Sequence, residues 1–405
     1  MQTKGYWELL MTNVYFRRLY FARQLSLLGD WFALLAILEL LRSIGADSAS
    51  SFGLALIIKS LPSLFATPWA GVFADRYNRV TVMIISDLVR LFLVLCFFLV
   101  LIWPYPWIVY LIVGVQSISS TFFEPARSAL LPSIVDEEDI ATANALGAVS
   151  WSLMLSVGAL IGGVCTELFG WKIALGIDAV SYFLSTVLLK GIVSKREKKL
   201  SGNVSAGIGE AWMYMRKNMS CWTLVVAKAG WNLVGAVTLV LTILGERYED
   251  GVLGVSILYC ARGIGTAIGP IVSRKLSNND PKKMDKLIMW GFLCGAVFYI
   301  PMFLFEDLWS FVPFIILAHL GGATVWVFST VRLQQTVPED ILGRIFAFEY
   351  AAWTLMFVSS TGLYSLMIDH VGSRPQSVLS IMGVTLLFPF FGWWLRDRYL
   401  SVADN

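Results

Sequence analysis

The sequence predicts an all-α integral membrane protein: twelve transmembrane helices in two pseudo-symmetric six-helix bundles. Three observations carry that prediction. Of its 405 residues, 57% are hydrophobic and only 15% charged, with a mean hydropathy of +0.70. A soluble globular chain is about half apolar and about a quarter charged, so lipid has to be the solvent for much of this surface. Apolar runs of about 20 residues, the length that crosses the hydrocarbon layer, recur along the whole chain. Finally, motifs of the first half return in the second at a nearly constant offset.

The spans are read at 15–42, 52–74, 80–103, 106–129, 139–168, 172–193, 220–246, 252–274, 285–305, 309–331, 341–369 and 375–396. Residues 1–14 are mixed polar and aromatic, with no compact apolar core before a small-residue site, so the first span is expected to act as an uncleaved signal anchor. Several spans hold Gly or Pro, which membrane helices tolerate when neighbours satisfy the freed backbone groups. Residues 194–219 are the longest polar segment and are expected to be a cytoplasmic linker between an N-terminal bundle (1–193) and a C-terminal bundle (220–405). Within it, 206–217 reads either as a short amphipathic helix on the inner surface, carrying Trp212, Met213 and Met215, or as a loose linker.

Lysine and arginine set the orientation. With both termini inside, the inner segments hold Lys4, Arg17, Arg18, Arg76, Arg79, Lys195, Arg196, Lys282, Lys283, Arg344 and Arg396 among others. The outer loops hold only Arg42, Lys172, Arg247 and Arg374. Positive charge concentrates on the cytoplasmic side, so an even number of spans with both ends cytoplasmic is expected.

The repeat is specific. Gly71-Val-Phe-Ala-Asp75-Arg76 ends span two, and Gly269-Pro-Ile-Val-Ser273-Arg274 ends span eight. Val135-Asp-Glu-Glu-Asp-Ile140 opens span five and Val337-Pro-Glu-Asp-Ile341 opens span eleven; Ala145 and Trp151 return as Ala347 and Trp353. Two related halves with a substrate path between them are a common transporter plan.

Composition excludes several chemistries. The net charge of +3 comes without a basic, aromatic-interleaved face, so no nucleic-acid partner is expected. The five cysteines lie in apolar stretches without paired spacing and read as buried free thiols. Two histidines, His319 and His370, do not make a metal centre, and no cofactor is expected. His319 reads as a helix-packing donor. No phosphate-cradling G-x-x-x-x-G-K-[ST] loop is present for an ATP-driven pump. A membrane-embedded lipid-modifying enzyme is the rival from another class. Its one acidic cluster, Asp136 to Asp139, is better placed to cap the start of span five.

Glycine, acid and two arginines coincide at the tight inner turn Gly71-x-x-x-Asp75-Arg76-x-x-Arg79. This segment resembles the cytoplasmic loop signature of the major facilitator superfamily, with Asn78 in the place of the usual glycine and Val80 in the place of the last basic residue. Gly29-Asp30-Trp31, Ser86-Asp87-Leu-Val-Arg90, Pro125-Ala-Arg127, Asn144-Ala145, Ile177-Asp178-Ala-Val-Ser181 and Gly343-Arg344-Ile345 are similar to the branch of macrolide and enterobactin exporters. The resemblance spans the chain. It implies the major facilitator fold and an inner-gate role for Gly71, Asp75, Arg76 and Arg79. Its fifth-helix antiport pattern matches Gly158, Gly162 and Gly163, but with Ala159 for proline, so helix packing is the favoured reading there.

Ionisable groups inside a span are costly, and each is a functional candidate. Asp30 comes first, for proton coupling or for a cationic substrate, with a structural ion pair to Arg262 or Lys228 as the alternative. Arg262, Glu349 and Asp178 are further candidates. Asp87 with Arg90, and Glu124 with Arg127, are spaced three apart and read as local pairs. The implied activity is secondary active, proton-coupled export of small hydrophobic or amphipathic molecules by a monomer in the cell membrane. Siderophore export and lysophospholipid transport are the alternatives.

Overall fold

A computed structural model of the chain describes residues 4–193, 208–248, 252–278 and 280–403. The described residues form helices, with no strand among them. In order these are α1 (Tyr6–Thr12), α2 (Val14–Ser43), α3 (Ala49–Arg76), α4 (Arg79–Cys96), α5 (Pro106–Ile134), α6 (Ile140–Leu153) and α7 (Ala159–Leu189). There follow α8 (Ile208–Lys217), α9 (Met219–Trp231), α10 (Val237–Tyr248), α11 (Val252–Ser277), α12 (Pro281–Tyr299), α13 (Leu308–Thr336), α14 (Glu339–Val371), α15 (Pro375–Thr385) and α16 (Leu387–Ala403).

Eleven helical stretches among the described residues are long and apolar enough to cross a membrane, and one of them, Thr142–Leu189, has 48 residues. At 1.5 Å per residue it would run about 72 Å, more than twice the hydrocarbon thickness of about 30 Å. It breaks at Gly170, whose φ of 78° and ψ of 165° suit only glycine. This one residue turns eleven stretches into twelve spans. A π-helical turn, Met154–Gly158, joins α6 to α7.

Local chemistry sets the helix starts. The side chains of Asn13, Ser48, Asn78, Asn218, Asp280 and Asp307 each accept from a backbone N–H of the first turn of α2, α3, α4, α9, α12 and α13. Asn78, at the tight turn, is extended (φ −60°, ψ 120°) and its side chain caps α4. The expected capping by Asp139 is corrected. Its carboxylate makes no cap bond to α6, because Lys4 occupies it through the backbone N–H at 2.9 Å and Nζ at 2.9 Å.

The chain divides into two compact units, Met1–Ser201 with Gly251–Ser256, and Gly202–Asp250 with Ile257–Asn405. In the first, α2 packs along α7, α3 along α5, and α4 against α5 and α7. The end that carries α1 holds an apolar cluster in which Leu9 and Leu10 join Phe16, Met83, Leu130 and Ile134. In the second, α12 packs on α13 and α14 on α9. The helix α8 lies against α14. Ala211 and Met215 are buried there, Trp212 stacks against Trp222 and Phe348, and Glu210 meets Arg344 at 3.1 Å, while Met213 stays exposed. Residues 194–207 of the expected linker lie outside the described residues.

Polarity is inverted relative to a soluble protein. Phe65, Trp69, Leu168 and Phe388 are exposed, whereas Asp87, Asp178, Arg90 and Glu349 are buried. An exposed apolar belt around buried charge is the arrangement that lipid selects.

Candidate functional site

The first unit gathers three carboxylates around one guanidinium, two of them buried. Asp87 and Arg90 stand one turn apart on α4, so they share a face, and Arg90 Nη2 donates to Asp87. On α7, residues 178, 181, 182 and 185 follow helical spacing and form one polar stripe. From that stripe, Ser185 donates to Asp87 Oδ2 at 2.6 Å, and the Tyr182 hydroxyl donates to Asp30 Oδ1 on α2 at 2.8 Å. Arg90 Nη1 is 3.9 Å from Asp30 Oδ1, and its guanidinium lies over the rings of Tyr182 (4.5 Å) and Phe123 (5.2 Å). Asp30 therefore takes its partners within its own unit. The expected alternative with Lys228 is corrected, since Lys228 pairs with Glu349.

Asp178 differs from the other two acids. It is fully buried, and neither carboxylate oxygen has a hydrogen-bond partner. Its neighbour is Gly29, where a Cβ would stand 2.3 Å from Asp178 Oδ1 and 2.1 Å from Ser181 Oγ. The backbone of α2 thus closes over the carboxyl in space that only glycine leaves. Asp30 is reachable, with its side chain 35% exposed.

The triplet Gly29-Asp30-Trp31 now has a role for each member. Gly29 covers Asp178, Asp30 joins the network, and Trp31 packs on α7, where a Cβ on Gly158 would come within 3.0 Å of its ring. Gly162 brings α7 against the backbone of Phe32, at 3.2 Å for an added Cβ, and Gly163 faces Ser256.

Toward the end that carries α1, α2 and α5 share a second charged group. Arg23 Nε meets Glu124 Oε1 at 2.5 Å and Arg127 Nε meets Glu124 Oε2 at 2.9 Å. They line a cavity of 310 Å³ together with Tyr20, Gln24, Asn144 and Trp151. At the adjacent turn, Gly71 and Asp75 lie in the last turns of α3, and Arg76 ends it with an exposed side chain. Arg79 Nη1 donates to the Ala129 carbonyl of α5 at 2.7 Å, which ties the turn to that helix.

The second unit holds the buried ion pair of Lys228 with Glu349, a buried Arg396 that meets Asp285 at 3.1 Å, and a half-buried cation, Arg262. Lys228 on α9 meets Glu349 on α14 at 3.0 Å, donates to Thr330 Oγ1 at 2.7 Å and lies 4.9 Å over Trp326. Arg262 on α11 donates through Nη1 to Thr238 Oγ1 at 2.6 Å. His319 packs edge-on to Tyr299 and Trp231 and bonds the Ile315 carbonyl at 3.0 Å. Sequence reasoning missed Tyr182, Ser185, Thr238 and Thr330. The 178/181/182/185 spacing held a signal for the first two, whereas the threonines carry none, because a hydroxyl in a membrane helix ordinarily bonds its own backbone.

Apolar spans with ionisable side chains turned inward are the build of a multi-pass membrane protein, and the family and relatives that it matches are transporters, not enzymes. The chain belongs to the Major Facilitator Superfamily, which it matches over residues 19–354. It is 26% identical over 385 residues to a Bacillus subtilis protein named "Putative bacilysin exporter BacE", covering 91% of this chain and 92% of that one. It is 22% identical over 353 residues to macrolide efflux protein A of Streptococcus pyogenes, covering 82% and 84%. Its fold is similar to the crystal structure of the nucleoside transporter NupG, with a TM-score of 0.76 at 13% identity over 94% of this chain and 98% of that chain.

Proposed function

We propose that this chain is a secondary active exporter of small hydrophobic or amphipathic molecules. It works by alternating access, with protons as the coupling ion, as a monomer in the cell membrane with both termini cytoplasmic. The relatives named for export of bacilysin and efflux of macrolides support the direction. The observation that supports the coupling is the grouping of Asp30, Asp87 and Asp178 near Arg90, with Asp87 and Asp178 buried and Asp30 half-exposed. Three ionised carboxylates cannot share one guanidinium in a low-dielectric interior without large cost.

Asp87 is held ionised by Arg90 and Ser185. Asp178, with no donor, is accommodated as the neutral acid. Asp30 is the port, because it is reachable and already hydrogen-bonded to Tyr182. A proton taken up on Asp30 removes the charge it presents to Arg90, which is then held by Asp87 alone. Release on the other side restores the pair. The turn bearing Gly71, Asp75, Arg76 and Arg79 serves as the inner gate, and the Arg79 to Ala129 bond gives that turn a rigid attachment to α5.

Transport into proteoliposomes under an imposed pH gradient tests this reading, with cationic dyes, a macrolide and a catecholate siderophore as cargo. Gradient-dependent movement is expected, with an at least tenfold loss in Asp30→Asn and preserved substrate exchange without a gradient. Movement indifferent to the gradient would make the protein a facilitator. Full gradient-driven transport by Asp30→Asn would remove Asp30 as the port.

A further inference from the structure

The second unit contains a membrane-embedded cation for which it supplies no acid. Arg262 stands ten residues into α11, about 15 Å along the helix axis, near the middle of a hydrocarbon layer about 30 Å thick. The titratable groups that bear on it are the phenols of Tyr259 and Tyr299 and the imidazole of His319. Among the described residues of its own unit no carboxylate lies within ion-pair distance of it. Glu246, the acid of neighbouring α10, stands eight residues beyond Thr238, about 12 Å further along that helix. The same unit gives Lys228 a full set of partners, Glu349, Thr330 and the Trp326 ring. An unmatched cation at this depth costs several kcal/mol, so its lack of an acid needs a reason.

The guanidinium is also specifically arranged. Thr238 takes Nη1, and the Thr238 backbone carbonyl is itself held by the Tyr259 hydroxyl at 2.9 Å. Nε is buried and has no acceptor. Nη2 is the nitrogen left to another partner, and a carboxylate that grips Nη2 and Nε with two parallel bonds requires the packing around Nε to open. The surroundings are hydroxyl and aromatic, from Thr238, Tyr259, Tyr299 and His319. They can orient an anion without competing for its charge.

We propose that Arg262 is the receptor for a carboxylate on the transported molecule, so that the carrier prefers an amphipathic acid over its neutral or cationic counterpart. This rests on the exporter reading above and narrows its substrate class. The bound carboxylate supplies the counter-charge that the unit omits, and its departure leaves Arg262 again unmatched.

The test uses the purified full chain in detergent and two probes, N-dansyl-phenylalanine and its methyl ester, with binding read by energy transfer from tryptophan to dansyl. The acid should bind at least about tenfold more tightly than the ester, the worth of one charge-assisted contact. R262Q should abolish that preference while still binding the ester. R262K, which keeps the charge but not the fork, should reduce it at least threefold and serves where R262Q is not monodisperse. Replacing gluconate by chloride should leave acid binding unchanged. Equal binding of acid and ester, an acid preference that survives R262Q, or millimolar competition by chloride would each overturn the assignment, the last by giving the site to an inorganic anion. Proteoliposomes separate this from the reading beneath it. Gradient-driven movement of macrolide or ester without acid preference sinks the Arg262 assignment and leaves the exporter standing. Acid-selective binding with no gradient-driven movement of any cargo does the reverse.

Discussion

The hydroxyl of Tyr182 donates to Oδ1 of Asp30 across 2.8 Å, joining α7 to α2 beside the Arg90 guanidinium that lies over the same tyrosine ring. One side chain thus orients the acid and stacks on the cation. The acid it holds is the reachable member of a three-carboxylate group whose other two members are sealed. The consequences can be measured residue by residue.

Asp87 and Asp178 should respond oppositely to the same isosteric change. Asp87→Asn leaves Arg90 without its closest counter-charge, and breaking a buried pair costs about 3–5 kcal/mol. Asp178→Asn removes no hydrogen bond, since the carboxyl makes none. Melting of the two variants in detergent is therefore expected to separate sharply, with Asp178→Asn near wild type. Equal melting temperatures would contradict the different environments of these two acids.

Gly29→Ala should be far worse than an average glycine substitution in a helix. The new methyl would stand 2.1 Å from Ser181 Oγ and 2.3 Å from Asp178 Oδ1. Overpacking of this kind costs about 1–3 kcal/mol. The double variant Gly29→Ala with Ser181→Gly should recover part of that loss. Gly147→Ala, which meets nothing within 4 Å, is the control and should be silent.

For Lys228 and Glu349 the informative measurement is a double-mutant cycle. Either Lys228→Met or Glu349→Leu alone strands a buried charge and should cost about 3–5 kcal/mol, whereas the pair together should be much less harmful than the sum. Additive effects would mean that the 3.0 Å contact is not an energetic coupling.

The clamp of Lys4 on Asp139 predicts a pH window. Hydrogen bonds from the Lys4 backbone N–H and then its ammonium hold the Asp139 carboxyl below its ordinary value of 3.8. Bonds to Asp139 and then Asp136 hold Lys4 above its ordinary 10.5. A lowered acid stabilises above its unfolded value, and that contribution is lost as pH falls through the folded one. A raised base stabilises below its unfolded value, and that contribution is lost as pH rises through the folded one. The clamp should therefore be flat from about pH 5 to 9 and weaken below pH 4. Proteolysis of the N-terminal segment should accelerate in acid for wild type but not for Asp139→Asn, and high salt should reduce the difference.

Much of the fold could be read from the sequence by itself: twelve spans, two halves and the identity of the charges inside them. These follow from properties local to the chain, namely run length, hydropathy and the spacing of short motifs. Pairings within one helix, such as Asp87 with Arg90 and Glu124 with Arg127, were legible for the same reason, because one helical turn sets the distance.

Only the tertiary structure decided what each charge meets across helices. It gave Asp30 to Tyr182 and Arg90, Lys228 to Glu349 and Asp139 to Lys4, and it left the Asp178 oxygens without a hydrogen-bond partner and Arg262 without an acid in its own unit. The physical reason is that a cross-helix contact depends on the rotation, tilt and depth of two helices at once. Those are set by the packing of every neighbour, through details as small as the absent Cβ of Gly29, and hydropathy is blind to all three.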